Sequence, residues 1–392
     1  MTTAVIVDAV RTPGGRRNGK LHGWHAVDLA SEPLKALVER NDLDPSQVDD
    51  VIVGCVMQVG EQALNIGRNA VLAAGFPESV PSTTIDRQCG SSQQALHFAA
   101  QGVIAGAYDV AIAAGVEHMT HTPMGSSVVR DLGFPFGPTV MGRYAERGGL
   151  VSQGISAEMI ADQWDLSREE LDAFGARSQQ HAARAAAEGR FEREIVTLEI
   201  RDDDGKPTGE TITIDEGIRP DTTIEVLSNL KPAFKPDGKV TAGNSSQITD
   251  GAAAVLVMSE EKASALGLTP RARFCNFALA GVDPVTMLTG PIPATRSVLE
   301  KAKMSIDDID LVEINEAFAS VILAWEKELH PDMDKVNVNG GAIALGHPLG
   351  ASGAKLMATL LSELERTGGR YGLQTMCEGG GMANATIIER LG

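Results

Sequence analysis

Cys89, His347 and Cys377 carry reactive side chains among residues too small to crowd them. The first lies in Asp86-Arg-Gln-Cys-Gly-Ser-Ser-Gln-Gln94, the second in Gly346-His-Pro-Leu-Gly350, and the third in Cys377-Glu-Gly-Gly-Gly-Met-Ala-Asn384. Glycine neighbours let a substrate come close to the backbone. Two thiols and an imidazole so placed suit covalent chemistry on an acyl group.

Each residue has its own reason for notice. A helical pattern follows Cys89, and unpaired N–H groups at a helix start favour a thiolate, so the expected thiol pKa falls below the free value of about 8.5. The polar residues on both sides of Cys89 do not resemble a core. Cys55, in an apolar strand, and Cys275, between Phe274 and Asn276, read instead as small buried hydrophobes. His347 is restricted by the proline after it, and a pre-set imidazole can take a proton from Cys89 and then offer an N–H to an oxyanion. His22, His25, His97, His118, His121, His181 and His330 read as surface or satisfied core residues. Cys377 has a reference pKa within about two units of neutrality, near enough to give and take a proton. The glycines at 379–381 offer backbone N–H groups to a second oxyanion, or simply close a strand. Asn315, in Asn315-Glu-Ala-Phe-Ala319, ends one strand and opens a helix; capping and a part in the chemistry are both open.

The elements that must position these side chains alternate as α/β layers do. Strand-like runs at 4–7, 50–56 and 109–115 alternate with helical patterns at 26–39, 65–74 and 94–103. From 119 to 250 the pattern breaks: glycine and proline cluster at 123–149, helices are expected at 156–162 and 167–188, and Asp202-Asp-Asp-Gly205 marks a turn between strands. This reads as an inserted loop domain. Alternation returns with strands at 249–257 and 272–279 and a helix at 293–302. Residues 50–56 resemble 309–315, and each run is followed by a small-residue turn, a helix and a strand ending in glycine, at Gly115 and Gly379. The two ends therefore read as copies of one unit, with Cys89 and His347 preceding equivalent helices.

Bulk properties narrow the function. At 392 residues, two packed domains are expected, and 43 % hydrophobic against 4 % aromatic residues means a core of Ala, Val, Ile, Leu and Met. A net charge of -18, with three Trp and three Tyr, argues against nucleic acid but leaves room for an anionic small molecule held by local Arg and Lys. No apolar run approaches the roughly 20 residues of a membrane span, and no leader precedes the first strand, so a soluble cytoplasmic protein is expected. Four cysteines without close-paired metal spacing read as reduced thiols, with no metal implied.

Cys89 with Gly90-Ser-Ser, Asn315-Glu-Ala-Phe, Gly346-His-Pro and Cys377 with its glycines resemble the thiolase family, in that order and over essentially the whole chain. The resemblance implies a five-layered αβαβα fold of two duplicated halves: 1–118 with 251–270, and 271–392, with a CoA-binding loop domain at 119–250. It makes Cys89 the acyl-accepting nucleophile, His347 its activator, and His347 with a water held by Asn315 one oxyanion hole. The N–H groups of Cys89 and Gly379 form the second, and Cys377 moves the proton of acetyl-CoA and CoA. Coenzyme A is then a co-substrate, contacted by Ser246, Arg219 and Phe318; Lys231 and Lys235 add attraction for phosphate or are merely solvated.

Short-chain biosynthetic members often carry His-Met before the Gly-x-x-Ala-Glu of the loop domain, whereas here Ser152-Gln153 precede Gly154-Ile-Ser-Ala-Glu158. Gln153 thus stands where an acyl pocket would be closed, which favours a degradative 3-ketoacyl-CoA thiolase of fatty-acid or steroid breakdown. The alternatives are a short-chain acetyl-CoA C-acetyltransferase and, from another class, a non-catalytic lipid- or CoA-binding relative. A decarboxylating ketoacyl synthase would lack Cys377. The family forms homodimers and homotetramers, for which 123–149 offers contacts.

Overall fold

The computed structural model describes residues 2–392. The first strand, β1 (Ala4–Arg11), is buried along its whole length, as an apolar run covered on both faces should be. It is followed by β2 (Gly15–Arg16), α1 (Ala26–Arg40), β3 (Asp50–Gly54), α2 (Ile66–Ala73), β4 (Ser82–Ile85), α3 (Ser91–Ile104) and β5 (Val110–His118). Residues 119–250 hold α4 (Pro138–Tyr144), α5 (Gln153–Gln163), α6 (Arg168–Ala187), the hairpin β6 (Leu198–Arg201) and β7 (Pro207–Ile212), and α7 (Ile224–Ser228). Then come β8 (Thr249–Ser259), α8 (Glu260–Ala265), β9 (Ala272–Gly281), α9 (Pro291–Ala302), β10 (Leu311–Ile314), α10 (Ala319–Leu329), α11 (Ala342–Leu345), α12 (Ser352–Thr367), β11 (Tyr371–Glu378) and β12 (Met382–Arg390).

Apart from β6 and β7, the strands form one sheet in the order β10-β11-β12-β9-β1-β8-β5-β3-β4, with β2 beside β8. Its two halves pair alike: β3 runs parallel to β5, which is antiparallel to β8, and β8 to β1; β10 runs parallel to β11, which is antiparallel to β12, and β12 to β9. The repeat read from the sequence is therefore a repeat of hydrogen bonding. The halves join where Val5 and Ile6 pair with Arg273 and Ala272.

Five layers result. Leu29, Leu34 and Leu37 of α1 cover one outer face with Val51, Val53 and Leu256. In the middle, Leu96, Ala99 and Val103 of α3 meet Met357, Leu360 and Leu361 of α12. On the far side α9 and α10 pack Val298, Ile322 and Trp325 against Val312 and Leu373. The sandwiched α12 is buried continuously from Ser352 to Leu364, so its polar residues have only protein partners to satisfy them.

Several boundaries differ from the sequence reading. β1 continues to Arg11 because that guanidinium is buried and paired, with Nε 2.6 Å from Glu194 Oε1 and Nη1 2.8 Å from Asp215 Oδ1. Both acids come from the 119–250 segment, so the charge ends no strand and instead ties that segment to the sheet. Likewise β5 runs on to His118, and α5 starts at Gln153, capped by Ser152. Among the described residues no helix is long and apolar enough to cross a membrane.

Candidate active site

The turn between β4 and α3 presents Cys89. Gln88 takes a left-handed φ of 48°, Ser91 Oγ donates to Gln88 O at 2.6 Å, and the Arg87 N–H donates to Ser91 Oγ at 2.9 Å. Gly90 is the N-cap of α3 and must lack a side chain, because a Cβ there would lie 2.0 Å from Glu378 Oε1. The thiol is buried beside Val56, Met119, Leu349 and Met376. Its own N–H, the N–H of Gly379 and the Gln153 side chain each favour the thiolate. Burial, with the Glu378 carboxyl second, nevertheless pushes the thiol up to about 12. The expected depression by the helix terminus is thus overturned: the apolar wall disfavours the thiolate more than the N–H groups favour it. Cys89 is a thiol at rest and needs a base.

His347 is the candidate for that base. Gly346, at φ 81°, turns the chain where a Cβ would strike Thr249 Oγ1 at 2.1 Å. The His347 N–H then donates to Thr249 Oγ1 at 3.1 Å and lies 3.2 Å from Gln247 O. Nδ1 sits 2.5 Å from Ser352 Oγ, and Nε2 lies 3.4 Å from Asn315 Nδ2. Burial, helped by the charge of Lys355, holds the imidazole down to about 3, so it is neutral. The Ala354 N–H donates to Ser92 Oγ at 3.0 Å, which seats the starts of α3 and α12 together and brings Cys89 and His347 to one end of the central layer. Glu117 reinforces this by accepting from the N–H groups of Val56, Met57 and Gly350 at 2.9–3.0 Å.

The parallel pairing of β10 with β11 delivers the other two residues. Asn315 N–H donates to Thr375 O at 3.1 Å, so Asn315 and Cys377 lie toward the same end of the sheet. Asn315 is not a helix cap, since α10 begins at Ala319 with Phe318 as its N-cap. The acid beside it does the structural work: buried Glu316 accepts from Ser178 at 2.6 Å, Asn337 at 2.9 Å and the Ile343 N–H at 3.1 Å. Cys377 is fully buried, and burial followed by the Cys89 charge raises its pKa well above the usual thiol value. Beyond it Gly380 and Gly381 have φ of 83° and 82°, a turn open only to glycine at low cost.

Glu378 carries no role in the sequence reading, yet its carboxyl faces Gly90, the residue that follows Cys89. Neither of its oxygens has a hydrogen-bond partner among the described residues, and burial pushes its pKa up to about 8. A carboxyl with a folded pKa above its unfolded value gives stability that is full below about pH 4 and lost as pH rises through 8. Glu378→Gln should therefore match the native protein in Tm near pH 5 and exceed it by several degrees at pH 8.5, on the order of 4 kcal/mol. A Tm difference that stays flat with pH would contradict the buried neutral acid.

A cleft of about 630 Å³ opens beside this group, lined by Arg16, Arg17, Arg219, Ser246, Gln247 and Ile248 among others. Ile248 also packs against the hydrophobic cluster that contains Cys89. Arg219 and Ser246 both line this cleft. Arg16 and Arg17 went unread, although they lie between glycines where β2 ends in a turn and are exposed. Phe318 is not in the lining: it is buried against Phe234, with ring centroids 5.9 Å apart, and bridges to Ser245 behind the cleft. Lys235 is already paired with Asp162 at 3.1 Å. Gln153, placed at the acyl pocket by sequence, has its amide 3.3 Å from where a Gly379 Cβ would lie.

Comparison with known proteins bears on this geometry. Residues 4–261 match the model of the thiolase N-terminal domain, and residues 268–390 that of the thiolase C-terminal domain. A steroid 3-ketoacyl-CoA thiolase of Mycobacterium tuberculosis is 51% identical over 100% of this chain and 95% of its own. A 3-ketoacyl-CoA thiolase of Saccharophagus degradans is 49% identical over 99% and 98%. The crystal structure of the Bacillus anthracis acetyl-CoA acetyltransferase superposes with a TM-score of 0.89 at 41% identity, covering 100% of this chain and 99% of that one.

Proposed function

Since the chain belongs to the thiolase family and is an acyltransferase, we propose that it works chiefly in the degradative direction, cleaving 3-ketoacyl-CoA with CoA into acetyl-CoA and a shortened acyl-CoA. The observation that carries the mechanism is the seating of the starts of α3 and α12 against each other, which brings Cys89 and the neutral imidazole of His347 to one end of the central layer.

In this reading His347 Nε2 takes the proton of Cys89 as the sulfur attacks the C3 carbonyl. Both partners are neutral at rest, so proton transfer accompanies bond formation. The C3 oxyanion settles on the N–H groups of Cys89 and Gly379. The C2–C3 bond breaks, the acetyl-CoA enolate is held by His347 and a water on Asn315, and Cys377 gives it a proton. Cys377 then takes the proton of incoming CoA, whose sulfur attacks the acyl-Cys89 thioester. Cys89 leaves as thiolate and recovers its proton from His347.

The loop domain at 119–250, inserted within the N-terminal half at 1–118 with 251–270 and followed by the C-terminal half at 271–392, supplies most of the CoA cleft. Arg16, Arg17 and Arg219 meet the phosphates, Ser246 the pantetheine, and Phe318 supports it from behind. Coenzyme A is a co-substrate, not a resident group. A cytoplasmic homo-oligomer is part of the same reading, supported by Leu132, Phe134 and Phe136, which stand 86%, 65% and 46% exposed in 123–149.

Acyl length is tested by comparing kcat/KM for CoA-dependent cleavage of acetoacetyl-CoA and a long-chain 3-ketoacyl-CoA. The longer substrate is expected to win by about tenfold or more, roughly 1.4 kcal/mol of apolar burial around Gln153. A preference for acetoacetyl-CoA would make the protein an acetyl-CoA acetyltransferase and remove the argument from Gln153.

A further inference from the structure

The first turn of α12 holds the imidazole in one tautomer. Ser352 is 2% exposed, and its hydroxyl has a single hydrogen, which it gives to Pro348 O at 2.8 Å. The same oxygen lies 2.5 Å from His347 Nδ1. With its hydrogen committed to the carbonyl, Ser352 Oγ accepts, so Nδ1 carries the proton. On the other side of the ring the group facing Nε2 is Asn315 Nδ2, a donor only, at 3.4 Å. Two partners on two different elements thus require the same arrangement: Nδ1–H toward Ser352 and a bare lone pair on Nε2.

The same turn also fixes where the ring stands. Lys355, three residues further on, is 6% exposed and donates from Nζ to Leu345 O and, at 3.3 Å, to Gly346 O. Ser352 therefore grips the ring while Lys355 grips the peptides just ahead of it.

We propose that Ser352 is a positioning residue for the reaction, holding His347 as its Nδ1–H tautomer so that Nε2 is the proton acceptor for Cys89. This rests on His347 being that acceptor. Once Nε2 has gained the Cys89 proton, the Nδ1–H bond to Ser352 is unchanged and the ring keeps its place, with Nε2–H then aimed at the oxyanion. A histidine that could trade tautomers would spend part of its time with Nε2 already protonated and unable to act.

The test is ring-15N-histidine NMR of the full-length protein, with His347→Ala identifying the His347 signals, beside steady-state kinetics of Ser352→Ala and Ser352→Thr. The native protein should show a protonated Nδ1 and an unprotonated Nε2. Ser352→Ala should show a mixture and lose kcat by ~10- to 100-fold, the scale on which removing the orienting partner of a working histidine acts, with KM for CoA within about twofold. Ser352→Thr, which keeps an acceptor oxygen, should restore both. A native protein with its proton on Nε2 would overturn the proposal even if the alanine variant failed to fold, and so would an alanine variant that kept native tautomer and kcat. If His347→Ala were fully active, the reading of His347 as base would fall, while the tautomer spectra would still report on Ser352.

Discussion

Replacement of Cys89 by alanine is expected to abolish thiolysis, with kcat falling by about 10⁵-fold or more, the scale seen when a covalent nucleophile is removed. The loss should be chemical and not structural. Alanine leaves the apolar wall of Val56, Met119, Leu349 and Met376 in contact, and deletes only a sulfur at the end of a short turn. CoA binding should persist, because the arginines of the cleft belong to other segments. Mass spectrometry separates the two possibilities: brief exposure to a 3-ketoacyl-CoA should add one acyl group to the Cys89 peptide of the native protein and none to the variant. Serine should do little better than alanine, since a hydroxyl is a poorer nucleophile than a thiol at the same site and the buried setting already disfavours an anion there. Native turnover in Cys89→Ala, or after alkylation of Cys89, would remove the covalent mechanism and revive a protein that only binds acyl-CoA.

The residues proposed to carry the chemistry stand out in the sequence because their surroundings are unusual: a thiol or imidazole between glycines has little to offer a core. What those surroundings do to the residues was not. The sequence shows that Cys89 stands before a helix, which argues for a thiolate. It does not show that strands and loops distant in the chain close over the sulfur, nor that Glu378 lies beside it, and those two facts decide the pKa. Asn315 was ambiguous for a related reason. A cap and a catalytic amide look alike at a strand-to-helix junction, and only the delayed start of α10 at Ala319 separates them. The duplication was readable from strand and helix order, whereas the β1 to β9 contact that makes one sheet of two halves involves two residue pairs and leaves no periodic mark. Buried charges were the least legible. Arg11, Glu316 and Lys355 look like solvent-facing residues until Asp215, Ser178 and the carbonyls before His347 are found around them.

Cys377→Ala should behave differently from Cys89→Ala in a way that divides the reaction in two. The nucleophile, its base and the N–H groups that favour its thiolate are all retained, so acyl-Cys89 should still form. The group that gives the enolate its proton and takes one from CoA is gone, so turnover should fall by about 10²- to 10⁴-fold, the usual yield of positioned acid–base catalysis. Acylated Cys89 should accumulate in quenched samples at times when the native protein shows little. A second readout bears on proton transfer alone: the native protein should exchange the methyl hydrogens of acetyl-CoA with D₂O, and the variant should not. The thiol is fully buried and its pKa is raised well above the usual value, which suits a group that must stay protonated until an enolate forms beside it and must then be a strong base toward CoA. Full activity with normal exchange in Cys377→Ala would sink that assignment, and Glu378, the neutral acid next to it, would then be the group to test.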